Sequence, residues 1–261
     1  MIDGHVHLEK GPLTLDYIDK FVQYAQKARL DSIQILDHTH RFMEFAQIYE
    51  ELKSRSLLQE KWLNARMKDY ISDYICLIKK AKEQEYPINV KFGLEVCYTR
   101  GTETLLKNIL KQYKFDFLVG AVHSVFGYLY DIDDFSRDLL WSRYSAEEIY
   151  KEYYNNLESL LESGLFTQTA HPDVIKLYNI YPDYDLSDTY ENISRIAFEN
   201  DIYMENNFGC HYRYGHKDLG LSDQFLSVLR DKKVKIILAS DAHVPNDVGR
   251  CFDEYIKRAA M

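Results

Sequence analysis

Short apolar runs and helix-like stretches alternate seven times along this 261-residue chain, and few architectures accept that order. The runs at 1–7, 32–38, 89–96, 117–123, 166–171, 202–207 and 234–241 are short and each carries Ile, Val, Leu or Phe, as buried strands do. The stretches at 15–25, 59–85, 102–112, 145–163, 187–200, 222–230 and 246–260 have the look of helices, several with apolar residues spaced three and four apart. Such alternation implies parallel strands covered by helices, and the length suits one α/β barrel. No Pro/Gly/Ser-rich linker divides the chain, so a single domain over residues 1–261 is expected.

In a barrel the C-terminal strand ends converge on one face. Here the ends read His5-Val6-His7, Asp37-His38-Thr39-His40, Gly93-Leu94-Glu95, Val122-His123-Ser124, Ala170-His171-Pro172-Asp173 and Ser240-Asp241-Ala242-His243. Seven of the nine histidines fall in these places, which a random scatter would not produce. Two exposed histidines at one strand end would explain His5 and His7 alone. Imidazoles and carboxylates gathered from many strands instead point to a divalent transition metal.

Local signals fill in the rest. Thr14 stands where an N-cap would open the first helix, and Ser145-Ala146-Glu147-Glu148 has the form of a capping box. Tyr86-Pro87 stops the long 59–85 helix. Residues 125–144 are aromatic and acidic without clean periodicity and are expected to form an elaborated loop over the site.

The formal charge of -9 argues against nucleic acid or an anionic membrane surface as partner. Bound cations would still make one cleft locally positive, so a phosphorylated substrate stays open. Neither a signal-peptide pattern nor a run of roughly 18 apolar residues occurs, and a cytoplasmic location is expected. Cys76, Cys97, Cys210 and Cys251 show no CxxC spacing; free thiols are the default, with Cys97 and Cys210 read as buried and inert.

The strand-end motifs, in their order, resemble those of the polymerase and histidinol phosphatase (PHP) superfamily over essentially the whole chain. Residues 115–124 and His171-Pro172-Asp173-Val174-Ile175-Lys176 resemble its histidinol-phosphatase branch. The resemblance implies a distorted seven-stranded (β/α)7 TIM-like barrel holding two or three divalent ions (zinc, manganese or iron). By position, His5, His7, Glu95 and Asp241 would hold a first ion. Glu95 would bridge to a second held with His123 and His171, and His38 and His243 would hold a third. Many relatives carry another histidine six positions after the His-x-His; here that position is Leu13, so Glu9 or His40 would have to supply the third site's missing ligand.

The implied activity is hydrolysis of a small phosphate monoester, L-histidinol phosphate in histidine biosynthesis, by a metal-activated water, with Glu95, Asp241 and His243 at the catalytic centre. Phosphate favours guanidinium forks, and Arg41, Arg100 and Arg213 fall on the expected active face, together with His40 as a substrate contact. His211 and His216 share the Arg213 loop; Tyr98, Tyr128 and Tyr130 would frame a flat leaving group. Another phosphate monoester or a phosphotyrosine is the near alternative. An amidohydrolase barrel, with Glu95 where that family commonly uses a lysine, and a non-catalytic metal-binding module are the more distant ones. The oligomeric state is open.

Overall fold

The computed structural model describes residues 1–259. In chain order, β1 (Ile2–His7), α1 (Leu15–Lys27) and β2 (Ser32–Leu36) lead through two 3-10 segments to α2 (Glu50–Arg55), α3 (Leu57–Arg66) and α4 (Ile71–Lys82). Then follow β3 (Asn89–Cys97), α5 (Glu103–Leu110), β4 (Phe117–Ala121), a hairpin of β5 (Ser124–Val125) and β6 (Tyr128–Leu129), and α6 (Ala146–Glu162). The chain continues with β7 (Gln168–Thr169), α7 (Ser187–Glu199), β8 (Tyr203–Asn207), α8 (Gly209–Tyr214), α9 (Asp223–Asp231), β9 (Ile236–Ala239) and α10 (Phe252–Ala259).

Seven strands form one sheet in the order β1-β2-β3-β4-β7-β8-β9, and every neighbouring pair is parallel. The two ends of the sheet meet: Val6 bridges Ala242, and His7 N donates to Ala242 O at 2.7 Å. Asp3 fastens the seam. Its buried carboxylate accepts from Ser240 N at 2.9 Å, Ser240 Oγ at 2.5 Å and Gly249 N at 2.9 Å, which explains an acid in an otherwise apolar first strand. The expected barrel is therefore present, nearly closed, with its helices outside.

β7 and β9 stop short of the ends of their apolar runs, for a reason that matters to the site. Pairing stops at Thr169 and Ala239 because His171 (φ 28°) and Asp241 (φ 57°) turn into left-handed conformations that no ladder accommodates. Such backbone costs energy and persists where surrounding contacts hold it. On β1 the register shifts by one residue between Asp3 and Val6, a bulge just where His5 leaves for the interior.

The expected helix at 59–85 is two helices. Between them Lys68 N and Asp69 N both donate to Arg41 O, and Met43 N donates to Asp69 O, so tertiary hydrogen bonds replace the helical ladder. Ser145 and Glu148 form the capping box, whereas Thr14 occupies its N-cap without a side-chain bond. The elaborated loop expected over 125–144 contains the β5–β6 hairpin and a single π-type turn at Arg137–Trp141, joined by irregular chain. The closing 246–260 segment is a 3-10 turn at Pro245–Asp247 followed by α10; Ala260 lies outside the described residues. Tyr150 and Tyr154 of α6 are buried, while Tyr17 and Tyr24 are half-buried against the core. Among the described residues, no helix is long and apolar enough to cross a membrane.

Candidate metal centre

Strand periodicity sends residues two apart to the same side, and on β1 that brings His5 Nε2 and His7 Nε2 to 2.8 Å. Glu95, near the end of β3, stands at the centre. Its Oε2 is 3.3 Å from His5 Nε2, 3.4 Å from His7 Nε2 and 2.8 Å from His38 Nδ1. Its Oε1 is 3.3 Å from His123 Nε2 and 3.2 Å from His171 Nε2. Asp241 Oδ1 completes one side, 3.5 Å from His7 Nε2 and 3.6 Å from His243 Nδ1. Strands far apart in sequence thus bring His5, His7, His38, Glu95, His123, His171, Asp241 and His243 together.

Glu9 joins them. Its carboxylate faces His38 Nε2 at 3.7 Å, His40 Nε2 at 3.8 Å and His243 Nε2 at 3.4 Å. Leu13 packs against the hydrophobic core instead. Glu9 and His40, the two candidates for the ligand absent at Leu13, therefore share the side of the cluster that holds His38 and His243.

The donor set fits divalent cations. His38 Nδ1 and Glu95 Oε2 lie close but without hydrogen-bond geometry, and both remain buried without a hydrogen-bond partner, as does His171 Nδ1. Each such group costs about 1–3 kcal/mol if nothing compensates it. Burial, then the like charges of His38 and His243, hold His7 well below the usual imidazole range. Burial and Arg213 hold His243 down at about 4. Glu95 and Asp241 stay ionised despite burial: His38 and His5 lead the groups holding Glu95 well below the usual carboxylate range, and Arg213 then His5 do so for Asp241. Against burial, Glu205 and Glu95 hold His5, Glu95 holds His38 and Cys97 holds His123 well above the usual imidazole range, so an incoming transition metal would displace protons from imidazoles that surround anionic carboxylates.

Glu205 on β8, to which the sequence gave no role, orients this set. Its Oε1 accepts from His5 Nδ1 and Gln168 Nε2, each at 2.7 Å, and its Oε2 accepts from His171 N at 3.1 Å and Asn207 Nδ2 at 2.9 Å. The bond to His5 Nδ1 leaves His5 Nε2 as the lone pair aimed at the cluster. A carboxylate two residues before the end of the expected 202–207 strand was the available signal. Glu205→Gln is expected to lower metal affinity about 10- to 100-fold, measured by chelator competition; unchanged affinity would mean that something else sets the His5 tautomer.

A cavity of about 280 Å³ opens over the cluster. Its floor includes Glu9, His38, His123, His171, Asp241 and His243, and its walls include Tyr49, Trp62, Tyr98 and Tyr214 with several aliphatic side chains. His40 lines it too, stacked on His38 with ring centroids 4.4 Å apart. Of the three arginines expected to meet phosphate, Arg213 lines the cavity, donating to Asp241 Oδ2 at 2.7 Å and lying 2.6 Å from His243 Nδ1. A Cβ on Gly209 would stand 2.6 Å from Arg213 Nη2 and 2.7 Å from Asp241 Oδ2, so glycine is what lets α8 begin there.

The other two arginines are elsewhere. Arg41 is buried and committed to Asp37 and Asp69 at 2.6 Å each, with Gly11 O at 3.3 Å. Arg100 is half exposed, pairs with Glu152 at 3.1 Å and does not line the cavity. Arg66, on a helix whose sequence gave no hint of a site, lines the cavity over the Trp62 ring. Tyr98 is a wall residue, but Tyr130 is buried and donates to Val122 O at 2.6 Å, and Tyr128 is also buried, 3.3 Å from Arg143. His211 and His216 brace their own loop, His211 Nδ1 lying 2.7 Å from His216 O. Cys97, read as inert, lines the cavity with Sγ 3.2 Å from His123 Nδ1.

Known proteins resemble this chain in sequence and in fold. A protein named probable histidinol-phosphatase from Deinococcus radiodurans is 26% identical over 98% of this chain and 92% of its own length. A provisionally named histidinol phosphatase of Listeria monocytogenes superposes with a TM-score of 0.76 at 18% identity, covering 98% of this chain and 100% of that one. The histidinol phosphate phosphatase of Lactococcus lactis, solved with zinc, L-histidinol and phosphate, gives a TM-score of 0.65 at 16% identity, covering 100% of this chain and 94% of that one. The PHP domain model matches residues 3–208, and the chain belongs to the PHP domain family.

Proposed function

We propose that this protein is a metal-dependent phosphatase that hydrolyses L-histidinol phosphate to L-histidinol and inorganic phosphate. The observation that carries the reading is the convergence of buried imidazoles on Glu95 at the floor of a cavity walled by aromatic rings. His5, His7, Glu95 and Asp241 would hold one ion; Glu95, His123 and His171 a second; and His38 and His243, with Glu9 or His40, a third. When bound, such ions supply Lewis acidity to the phosphoryl oxygens and lower the pKa of water. The names of the Deinococcus and Lactococcus proteins, and the zinc, histidinol and phosphate bound by the latter, support the same choice.

The chain's own side chains do the rest. Arg213 places a guanidinium on the cavity wall beside Asp241 and His243, where it can fork onto a phosphate oxygen as well as fix the Asp241 carboxylate. Tyr49, Trp62 and Tyr98 offer flat apolar faces to an imidazole. Asp131 and Glu9 line the cavity with carboxylates that complement the ammonium of an amino alcohol. No side chain needs to act as a covalent nucleophile.

The test is phosphate release from L-histidinol phosphate beside p-nitrophenyl phosphate and phosphotyrosine, on protein loaded separately with manganese, zinc and iron. A preference of about a hundredfold for histidinol phosphate, or about 2.7 kcal/mol in the transition state, is expected. Slow, indiscriminate hydrolysis would reject this substrate and leave the phosphoesterase; no hydrolysis in any metal form would reject both.

A further inference from the structure

Glu9 and His40, which face His38 and His243 across the third ion's site, are not walled in by packing on every side. Both line the cavity over the cluster, and both also line a second cavity of about 660 Å³ that Pro12, Ala65 and Lys68 help to enclose. Side chains bordered by two cavities are held less by close packing, so the bonds that fix their backbone matter more. Arg41 supplies those bonds. Its Nη2 donates to Gly11 O at 3.3 Å, and Gly11 N donates to Leu8 O at 2.9 Å, closing the turn that carries Glu9. Its Nη1 donates to Asp37 Oδ2 at 2.6 Å, Asp37 Oδ1 accepts from His38 N at 3.0 Å, and Arg41 N donates to His38 O at 3.1 Å. Its Nε donates to Asp69 Oδ2 at 2.6 Å, which anchors the guanidinium to the chain between α3 and α4. One planar fork thus spans the loop after β1, which bears Glu9, and the turn after β2, which bears His38 and His40.

We propose that Arg41 is a positioning residue for the third metal site, fixing the spacing between Glu9 and the 38–40 turn without touching substrate. This rests on the three-ion reading of the centre and is independent of which phosphate ester is hydrolysed. The guanidinium suits the task because its donors leave in fixed directions within one plane, whereas an ammonium is a point charge on a flexible stem. Groups that orient a ligand from behind set metal affinity about 10- to 100-fold. The competing role is that of an ordinary buried ion pair, in which Arg41 only neutralises Asp37 and stabilises the fold as a whole.

Arg41→Lys separates the two roles, because it keeps a positive charge beside Asp37 and loses the fork. Zinc uptake is measured on metal-free protein by equilibrium dialysis against buffered zinc, beside thermal unfolding. The unaltered protein is expected to take up three ions per chain; R41K should hold two of them unchanged and bind the third about tenfold or more weakly. A lower Tm with all three affinities unchanged, or with all three lowered together, would overturn the proposal and leave the three-ion centre standing. Uptake of only two ions by the unaltered protein would overturn both. If R41K fails to fold, Asp69→Asn carries the test, since it loosens the same guanidinium from a carboxylate that is one-third exposed. The third ion alone should then bind about threefold more weakly, and an unchanged third affinity would overturn the proposal.

Discussion

Glu95→Gln is expected to reduce phosphatase turnover by about a thousandfold or more while leaving the fold intact. The side chain keeps its shape, but the carboxylate whose two oxygens face five imidazoles becomes an amide with one oxygen and one N–H group. It can then no longer bridge two ions, and its nitrogen meets lone pairs that would otherwise point at a metal. Metal ions contribute several kcal/mol of transition-state charge stabilisation, and each 1.36 kcal/mol is about tenfold in rate. Stability of the metal-free protein should fall, because Glu95 is the buried counter-charge of His38 and His5 and its removal leaves them uncompensated. Turnover measured on metal-reconstituted protein, beside metal content and thermal unfolding, checks this. Activity within tenfold of the unaltered enzyme would show that Glu95 is not the central ligand.

The second large effect is on stability. Lys176 is 3% exposed, and its Nζ donates to Asp173 Oδ2 at 2.7 Å, Asp218 Oδ2 at 3.0 Å and Gly220 O at 2.8 Å. Asp173 is itself buried and accepts from Ser222 N at 2.8 Å, tying the segment after His171 to the start of α9. Lys176→Met leaves Asp173 buried without its counter-charge, and breaking such a pair from one side costs about 3–5 kcal/mol. For a chain of this size that is a fall in Tm of roughly 10 °C. Urea unfolding measures it, and adding Asp173→Asn should restore part of the loss, because the stranded charge is then gone. A destabilisation below about 1 kcal/mol would show that water or Asp218 rearranges to satisfy Asp173. Metal affinity should fall as well, since His171 depends on this segment for its left-handed backbone.

Much of the centre was legible because its ligands occupy strand ends, and strand ends are marked by where apolar runs stop. A parallel barrel gathers those ends on one face whatever the intervening helices do. That rule places His5, His7, Glu95, His123, His171 and Asp241 on one face; their division among ions came from the family resemblance. The capping box at Ser145 was legible for a different reason, since its hydrogen bonds link residues three apart and need no tertiary partner.

The groups that orient or surround those ligands were not marked in the same way. Glu205 sits inside β8 and acquires its role only when β1 and β7 bring His5, Gln168 and the His171 backbone against it. Arg41 and Arg213 look alike in sequence, each a few residues beyond a strand and next to a histidine-bearing turn, yet Asp69 and Asp37 capture one and Asp241 aims the other into the cavity. The break at 67–70 has the same origin: backbone bonds to Arg41 and Met43 outweigh a helical ladder that the sequence would otherwise continue. The sequence by itself determined the alternation and the imidazoles and carboxylates at the strand ends, because each depends on periodicity or a few adjacent residues. Only the tertiary structure decided which arginine reaches the cavity, which carboxylate orients His5 and that Cys97 faces His123, because those choices depend on charges and donors brought close from distant parts of the chain.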